Sequence, residues 1–159
     1  MKQFRSLEDL ARKLAEAPAR VTLNVSEGIL KTAVKVQGDA KKKFGTYQPA
    51  VGDFPAWTPL SEQTVAAKLK AGASGDDPLI GHSSSGKKTK TTNLRNSILV
   101  HVDGLTGIVG TNDEVAEWQE FGTKHIPPRP FLRPAVFENH AFLKEEMQRA
   151  IVKSMKEGY

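Results

Sequence analysis

Residues 97–110, SILVHVDGLTGIVG, carry the clearest β-sheet pattern in the 159-residue chain. Apolar and other side chains alternate over 97–102, so that one face of a strand can be buried. The apolar positions of that face are Ile98, Val100 and Val102. Asp103 and Gly104 form a turn pair typical of hairpins, and 107–110 supplies the returning strand. We therefore expect a small antiparallel sheet built on one β-hairpin, with a third strand near 115–121.

Helical periodicity is found on both sides of this hairpin. Apolar residues spaced three and four apart predict one helix over 6–16 and a second over about 21–44. Pro18 is expected to close the first helix or to bend the chain into the second, because proline disfavours the helical conformation of its predecessor. After the hairpin, a long helix is expected over about 134–156. Its predicted inner face comprises Val136, Leu143, Met147, Ala150 and Ile151.

The segment 46–92 is rich in Gly, Pro, Ser and Lys and is expected to be irregular. One short helix is predicted inside it, over 61–70, followed by a long mobile loop over 72–90. We expect a single domain over 1–159 with an α+β fold. Its parts are a helical N-terminal part (1–45), the irregular region (46–92), and a sheet with the C-terminal helix (93–159).

Composition excludes several kinds of site. The chain has no cysteine, so disulfide scaffolds, cysteine nucleophiles and thiolate metal sites are ruled out. No apolar run approaches the ~20 residues that span a bilayer, and the N-terminus lacks the apolar core of a signal peptide, so we expect no membrane association and a cytosolic site of synthesis. The net charge is +5, concentrated at Lys41–Lys43 and Lys87–Lys90. Such an excess can attract phosphate, although a solvated surface is the commoner explanation.

Motifs that carry chemistry are weak in this sequence. Residues 81–87, GHSSSGK, are similar to a phosphate-binding loop, but Lys88 stands where that loop needs Ser or Thr. The preceding apolar run is only three residues long, and 89–93 does not have a helical pattern. The four histidines are too far apart to pair locally as metal ligands. The remaining acidic candidates are Glu114, Glu117 and Glu120, which we interpret as a solvated edge. We therefore predict no catalytic residue, metal or cofactor, and no enzyme activity.

The segment 118–135, WQEFGTKHIPPRPFLRPA, is the most specific stretch of the chain. It predicts a tight backbone turn at Gly122. Three prolines within 126–130 make the following arm stiff and extended. Phe131 and Leu132 would anchor that arm before the last helix begins. On its residues alone, the segment is a proline-rich connector held by two apolar side chains.

The order of residues in 118–135 resembles the "EFGT … P-x-R-P-F-L-R-P-A" pattern of phage tail-completion and neck proteins. This family, also called virion-morphogenesis proteins, includes the G protein of phage Mu and the minor tail protein Z of lambda-like phages. Two further segments are similar in order. Residues 57–68 resemble a "W-x-P-L-S-x-x-T-x-x-x-K" element, and 92–98 resemble "T-G-x-L-R-x-S-I", although the second is one residue shorter here.

The resemblance implies a structural virion protein of a tailed bacteriophage, made in the host cytoplasm and located in the neck or upper tail. Its role would be to make the tail competent for head joining. Expected partners are the tail terminator, the tail tube and the head–tail connector, and the expected assembly is a homo-oligomeric ring, a hexamer in the virion. The expected assembly positions are Phe121, Gly122, Arg129, Phe131, Leu132 and Arg133.

Two alternatives remain open at this stage. One is a tail terminator or head–tail stopper, which would share the location and the ring form. The other, from a different class, is a basic DNA-binding protein. Lys87, Lys88 and Lys90 are the candidates for contact with DNA or with a partner, and any DNA contact without aromatic stacking would be non-specific and salt-dependent.

Overall fold

The computed structural model describes residues 6–72, 74–75, 77–79 and 90–157, and in this part the fold is α+β, as the sequence predicts. Six helices and one two-stranded antiparallel sheet follow each other along the described chain. In order, they are α1 (Leu7–Lys42), α2 (Glu62–Lys70), α3 (Lys90–Ser97), β1 (Leu99–Asp103), β2 (Thr106–Gly110), α4 (Glu114–Phe121), α5 (Leu132–Glu138) and α6 (His140–Glu157).

The two predicted N-terminal helices are one helix, and Pro18 lies inside it. A proline within a helix leaves the carbonyl four residues earlier without its usual donor. Leu14, whose carbonyl is affected, is 61% exposed, so that water can reach this turn. Arg20 also bridges the proline, since its guanidinium bonds the Glu16 carboxylate at 3.1 Å and the Lys13 carbonyl at 3.0 Å. These contacts explain why the break predicted at Pro18 is wrong.

The hairpin is confirmed, with Gly104 in its turn at φ +54°. Its first strand begins at Leu99, two residues later than expected, because α3 continues to Ser97. The prediction that 89–93 is not helical is wrong over 90–93, since α3 begins at Lys90. The third strand expected over 115–121 is wrong as well, since α4 occupies that segment. The side chain of Asp113 caps α4 by accepting from the Val115 amide at 3.0 Å.

The described residues form two compact units that interleave along the chain. The first takes α1 up to Lys35, then Val100–Ile108 and the chain from Asn139 onward. Inside it, Gly28 permits close packing, because a β-carbon there would lie 2.8 Å from the Met147 methyl group. The Asn24 amide donates to Ser154 Oγ at 2.9 Å. This unit is therefore held by a small-residue contact and a buried polar contact between α1 and α6.

The C-terminal helical region is interrupted at Asn139, where one continuous helix was expected. Of its predicted inner face, Ala150 is buried, whereas Val136 and Ile151 are 44% and 46% exposed. The inner-face prediction is therefore wrong at those two positions. Because the helix is interrupted, one helical periodicity cannot be extended across Asn139.

The second unit takes the described residues of Val36–Leu99 together with Val109–Glu138. Its core consists of buried apolar side chains from α1, α3, α4, α5 and the segments between them. Phe131 lies at 0% exposure and contacts the ring of Phe44 edge-on, with the ring centroids 5.1 Å apart. The connector predicted from 118–135 belongs to this unit.

Candidate assembly surface

The connector begins where α4 ends at Gly122. The Gly122 amide bonds the Trp118 carbonyl at 3.0 Å, and its φ of +77° lies in the left-handed region. A β-carbon at this position would lie 2.9 Å from both the Ile126 carbonyl oxygen and the Pro128 nitrogen. Glycine is therefore required here for both backbone conformation and space, which confirms the turn predicted from the sequence.

The proline arm after Gly122 folds back onto α4. The Thr123 amide bonds the Ile126 carbonyl at 2.8 Å, which closes a small loop. The Arg129 amide bonds the Gln119 carbonyl at 2.6 Å. Trp57 fixes the far end of the arm, because its buried indole N–H donates to the Pro130 carbonyl at 3.1 Å. Backbone and side-chain hydrogen bonds thus hold the arm against the unit, and the proline rings restrict its backbone conformation.

The carboxylate of Glu120 joins the two ends of the connector. Its Oε2 accepts from the amides of Phe131 at 2.8 Å and Leu132 at 3.1 Å. Its Oε1 accepts from the amide and the Nε of Arg133, at 2.9 and 3.1 Å. Three amides at the start of α5 would otherwise lack acceptors, and a negative charge is favourable at this end of a helix. We call this arrangement the Glu120 clamp.

Glu120 is only 4% exposed, so the interpretation of the three glutamates as a solvated edge is wrong for it. Glu114 and Glu117 are exposed, as expected. The difference follows from the connector, which returns across α4 and covers the last of the three positions. A buried carboxylate with four donors on its two oxygens is well satisfied, and here it stabilises the connector.

The guanidinium of Arg133 lies between aromatic rings at the surface. Its carbon is 4.5 Å from the ring centre of Phe121 and 5.3 Å from that of Phe54. Phe54 in turn meets Phe137 edge-on, with the centroids 6.3 Å apart. We call these four side chains the aromatic–arginine surface. Because Phe121 is 63% and Phe137 48% exposed, the surface presents apolar rings and a cation to the surroundings.

The six predicted assembly residues thus have different positions. Phe121 and Arg133 are exposed, and Gly122 forms the turn beside them. Leu132 is half-buried and packs against the core. Arg129 and Phe131 are buried, at 3% and 0% exposure, and hold the connector rather than contribute to the aromatic–arginine surface. Lys87 and Lys88 lie outside the described residues, and Lys90 begins α3.

Two buried cations lie near the arm. Arg129 donates through Nη2 to the Thr58 carbonyl at 3.1 Å, while its Nε has no acceptor among the described residues. Burial lowers the pKa of Arg129, and the neighbouring Tyr47 acts in the opposite direction. Burial also lowers the pKa of Lys68; the nearby Asp77 raises it and Arg129 lowers it. The ammonium of Lys68 donates to the Asp77 carbonyl. Two like charges therefore lie close together in a site of reduced hydration.

Four residues of this region were not predicted from the sequence to belong to it: Glu120, Phe54, Phe137 and Lys68. Of these, Lys68 could have been identified from the sequence, because it is the last residue of the W-x-P-L-S-x-x-T-x-x-x-K element that begins at Trp57. The partners of Glu120 lie eleven to thirteen residues further on. No local spacing predicts contacts of this kind.

Within the described part of the chain, no group of three or more His, Asp or Glu side chains could hold a metal ion. None of the helices described here is long and apolar enough to cross a bilayer. No family model, no curated protein and no solved structure matches the chain in the three comparisons made.

Proposed function

We propose that the chain is a non-enzymatic structural protein of a tailed-phage virion, acting in the neck or upper tail to make the tail competent for head joining. The observation that carries this proposal is the residue order of 118–135, WQEFGTKHIPPRPFLRPA, and its resemblance to the tail-completion family. In this chain the same residues form the tied connector and contribute Phe121 and Arg133 to the aromatic–arginine surface.

The composition of that surface supports a role in assembly. Aromatic rings and arginine are enriched at the centres of protein interfaces, where they contribute most of the binding energy. Phe121 is exposed to a degree that is unusual for phenylalanine in a soluble monomer. A head-to-tail ring, expected to be hexameric, would require a surface of this kind that meets a different surface on the next copy.

The first unit also exposes apolar side chains, which supports partners in addition to the ring neighbours. Leu23, Leu30 and Val34 are 63%, 48% and 51% exposed and lie along one side of α1. Met155 on α6 is 61% exposed. Scattered exposed apolar residues need no explanation, but a row on one helix face is typical of an interaction surface.

The proposal is tested by deleting the gene from the phage that encodes the chain and imaging the particles. Filled heads and separate tails are expected, because the joint between them would be incomplete. Infectious particles should return when the wild-type protein is supplied. Fully joined, infectious particles in the absence of the protein would refute the role.

Complementation by variants tests the surface itself. Phe121→Ser should fail to restore joining, whereas Leu69→Ser should restore it. Leu69 is a matched control, since it is 61% exposed and lies on α2, away from the aromatic–arginine surface. Equal complementation by both variants would show that the aromatic–arginine surface is not needed for joining. Native mass spectrometry of the purified tails should show six copies.

The same particles distinguish the alternatives. Averaged images of tails that lack the protein should show less density at the head-proximal end than images of tails that contain it. Loss of density on the portal side would instead favour a head–tail stopper. A basic DNA-binding protein would instead bind DNA with sequence preference that persists at high salt. Non-specific contact through the basic residues would weaken steeply as salt is raised.

A further inference from the structure

A pocket of about 330 Å³ lies beside the proline arm in the second unit. One wall is a face of α2 that carries Ser61, Thr64 and Lys68, and another is the arm itself with Arg129. The lining also includes two polar side chains, Gln119 and His125, and the apolar side chains of Pro59, Leu60, Pro78, Leu79, Ile126 and Pro127. The pocket thus combines two buried cations and two hydroxyl groups with an apolar rim.

The charges in this pocket are incompletely balanced by the protein. Within the described residues, no carboxylate forms an ion pair with Arg129, and its Nε is buried without a hydrogen-bond acceptor. The side-chain amide oxygen Oε1 of Gln119, another lining residue, also has no partner among the described residues. Buried charges in proteins are normally paired, because an uncompensated one is strongly disfavoured. An arginine at 3% exposure that lines an open pocket is therefore a candidate for an external anion.

The number of charges indicates the kind of anion. Asp77 lies close enough to Lys68 to stabilise its charged form, so Arg129 is the cation left without a carboxylate among the described residues. About one positive charge remains, which suits a monoanion better than a dianion. The guanidinium presents donors in a planar fork that matches a carboxylate. The prolines and Ile126 at the rim suit an apolar body attached to it.

We propose that this pocket binds an organic monocarboxylate, with the carboxylate at Arg129 and Lys68 and its apolar body against the proline arm. The carboxylate could belong to a free organic acid or to the C-terminus of a peptide, since both present the same group. The site is separate from the aromatic–arginine surface, because none of the residues that line it belongs to that surface.

The proposal is tested by NMR on the full chain at constant ionic strength. Three probes are titrated: benzoate as a free acid, N-acetyl-leucine as a chain terminus, and N-acetyl-leucine amide as a control without the carboxylate. The Arg129 Nε–H signal and the Thr64 amide should shift and saturate with the acids, with a Kd on the order of 1–10 mM for ligands of this size. The stronger of the two acids identifies the source of the carboxylate.

The amide control should leave both signals unshifted, and this comparison needs no variant. Equal shifts with N-acetyl-leucine and its amide would overturn the proposal, as would the absence of any saturable shift. Tighter binding of inorganic phosphate than of either acid would overturn the assignment to a monocarboxylate.

Variants then test whether each of the two cations contributes to binding. Lys68→Met and Arg129→Gln should each weaken binding at least tenfold. Lys70→Met is the matched control, because Lys70 is exposed on the same helix and does not line the pocket. Unchanged affinity in a folded Lys68→Met protein would remove Lys68 from the site. If Arg129→Gln does not fold, the acid–amide comparison on the unmodified chain still decides the question.

Discussion

Replacing Glu120 by glutamine changes the clamp without changing its shape. The carboxylate accepts four donors, two on each oxygen, whereas an amide has one oxygen and an NH₂ group. In either orientation of the amide, two of the four donors lose their acceptor. Hydrogen bonds to a charged group contribute about 1.5–3 kcal/mol each. The Arg133 side chain is partly exposed and can form hydrogen bonds with water instead. The net loss in the free energy of unfolding should therefore be about 3 kcal/mol, near the lower end of the range for two such bonds.

A loss of that size should lower the melting temperature by about 6–12 °C for a chain of this length. The measurement is denaturation followed by tryptophan fluorescence. Both tryptophans report on this unit, since Trp57 is buried and bonded to the connector and Trp118 lies on α4. Glu117→Gln is the matched control, three positions earlier on α4 and exposed, and it should change stability by less than about 0.5 kcal/mol. If the two variants lose stability equally, the clamp does not stabilise the connector as argued.

Two further pairs of substitutions test the connector and the core around it. Gly122→Ala should cost about 2–3 kcal/mol, because its β-carbon would meet backbone atoms at a positive φ, whereas Gly38→Ala should stabilise α1 by about 0.5–1 kcal/mol, since open space surrounds it. Thermal denaturation measures both, and a tolerated Gly122→Ala would contradict the packing described. Phe131→Ala should cost about 3–5 kcal/mol and Phe137→Ala about 1 kcal/mol, in keeping with their 0% and 48% exposure. Similar denaturation midpoints for these two variants would show that Phe131 does not anchor the core.

The features that the sequence predicted correctly depend on neighbouring residues. The Asp103-Gly104 turn and the Gly122 turn each need only a few adjacent side chains and a backbone preference. The α+β class follows from the same local patterns. Such features can be predicted from sequence because the interactions that create them lie within short segments of the chain.

The α4 segment shows where local patterns are ambiguous. Its sequence, EVAEWQEF, contains the β-branched and aromatic residues that favour strands, and it follows a hairpin. The cap at Asp113 and the acidic residues in the first turn are the helical signals, and they outweigh the strand preference in the structure. A capping residue followed by glutamates was visible in the sequence and would have favoured the correct assignment.

The burial of charged groups could not be predicted in the same way. Glu120 is buried because the connector returns over it, and Arg129 because the arm carries it to the Thr58 carbonyl. Both results depend on contacts that are distant in sequence. For Pro18, the missing information was the exposure of its helical turn, which determines whether water can replace the lost donor.

The Glu120 clamp also affects how tightly the neighbouring surface can bind. It closes the chain between Glu120 and Arg133 into a loop that is already ordered before any partner arrives. A flexible loop would lose conformational entropy on association, at roughly 0.5–1.5 kcal/mol for each side chain that becomes immobile. Here most of that loss has occurred during folding, so the aromatic–arginine surface is preorganised. Even a modest contact area would then give a useful affinity, and docking would proceed nearly as a rigid body.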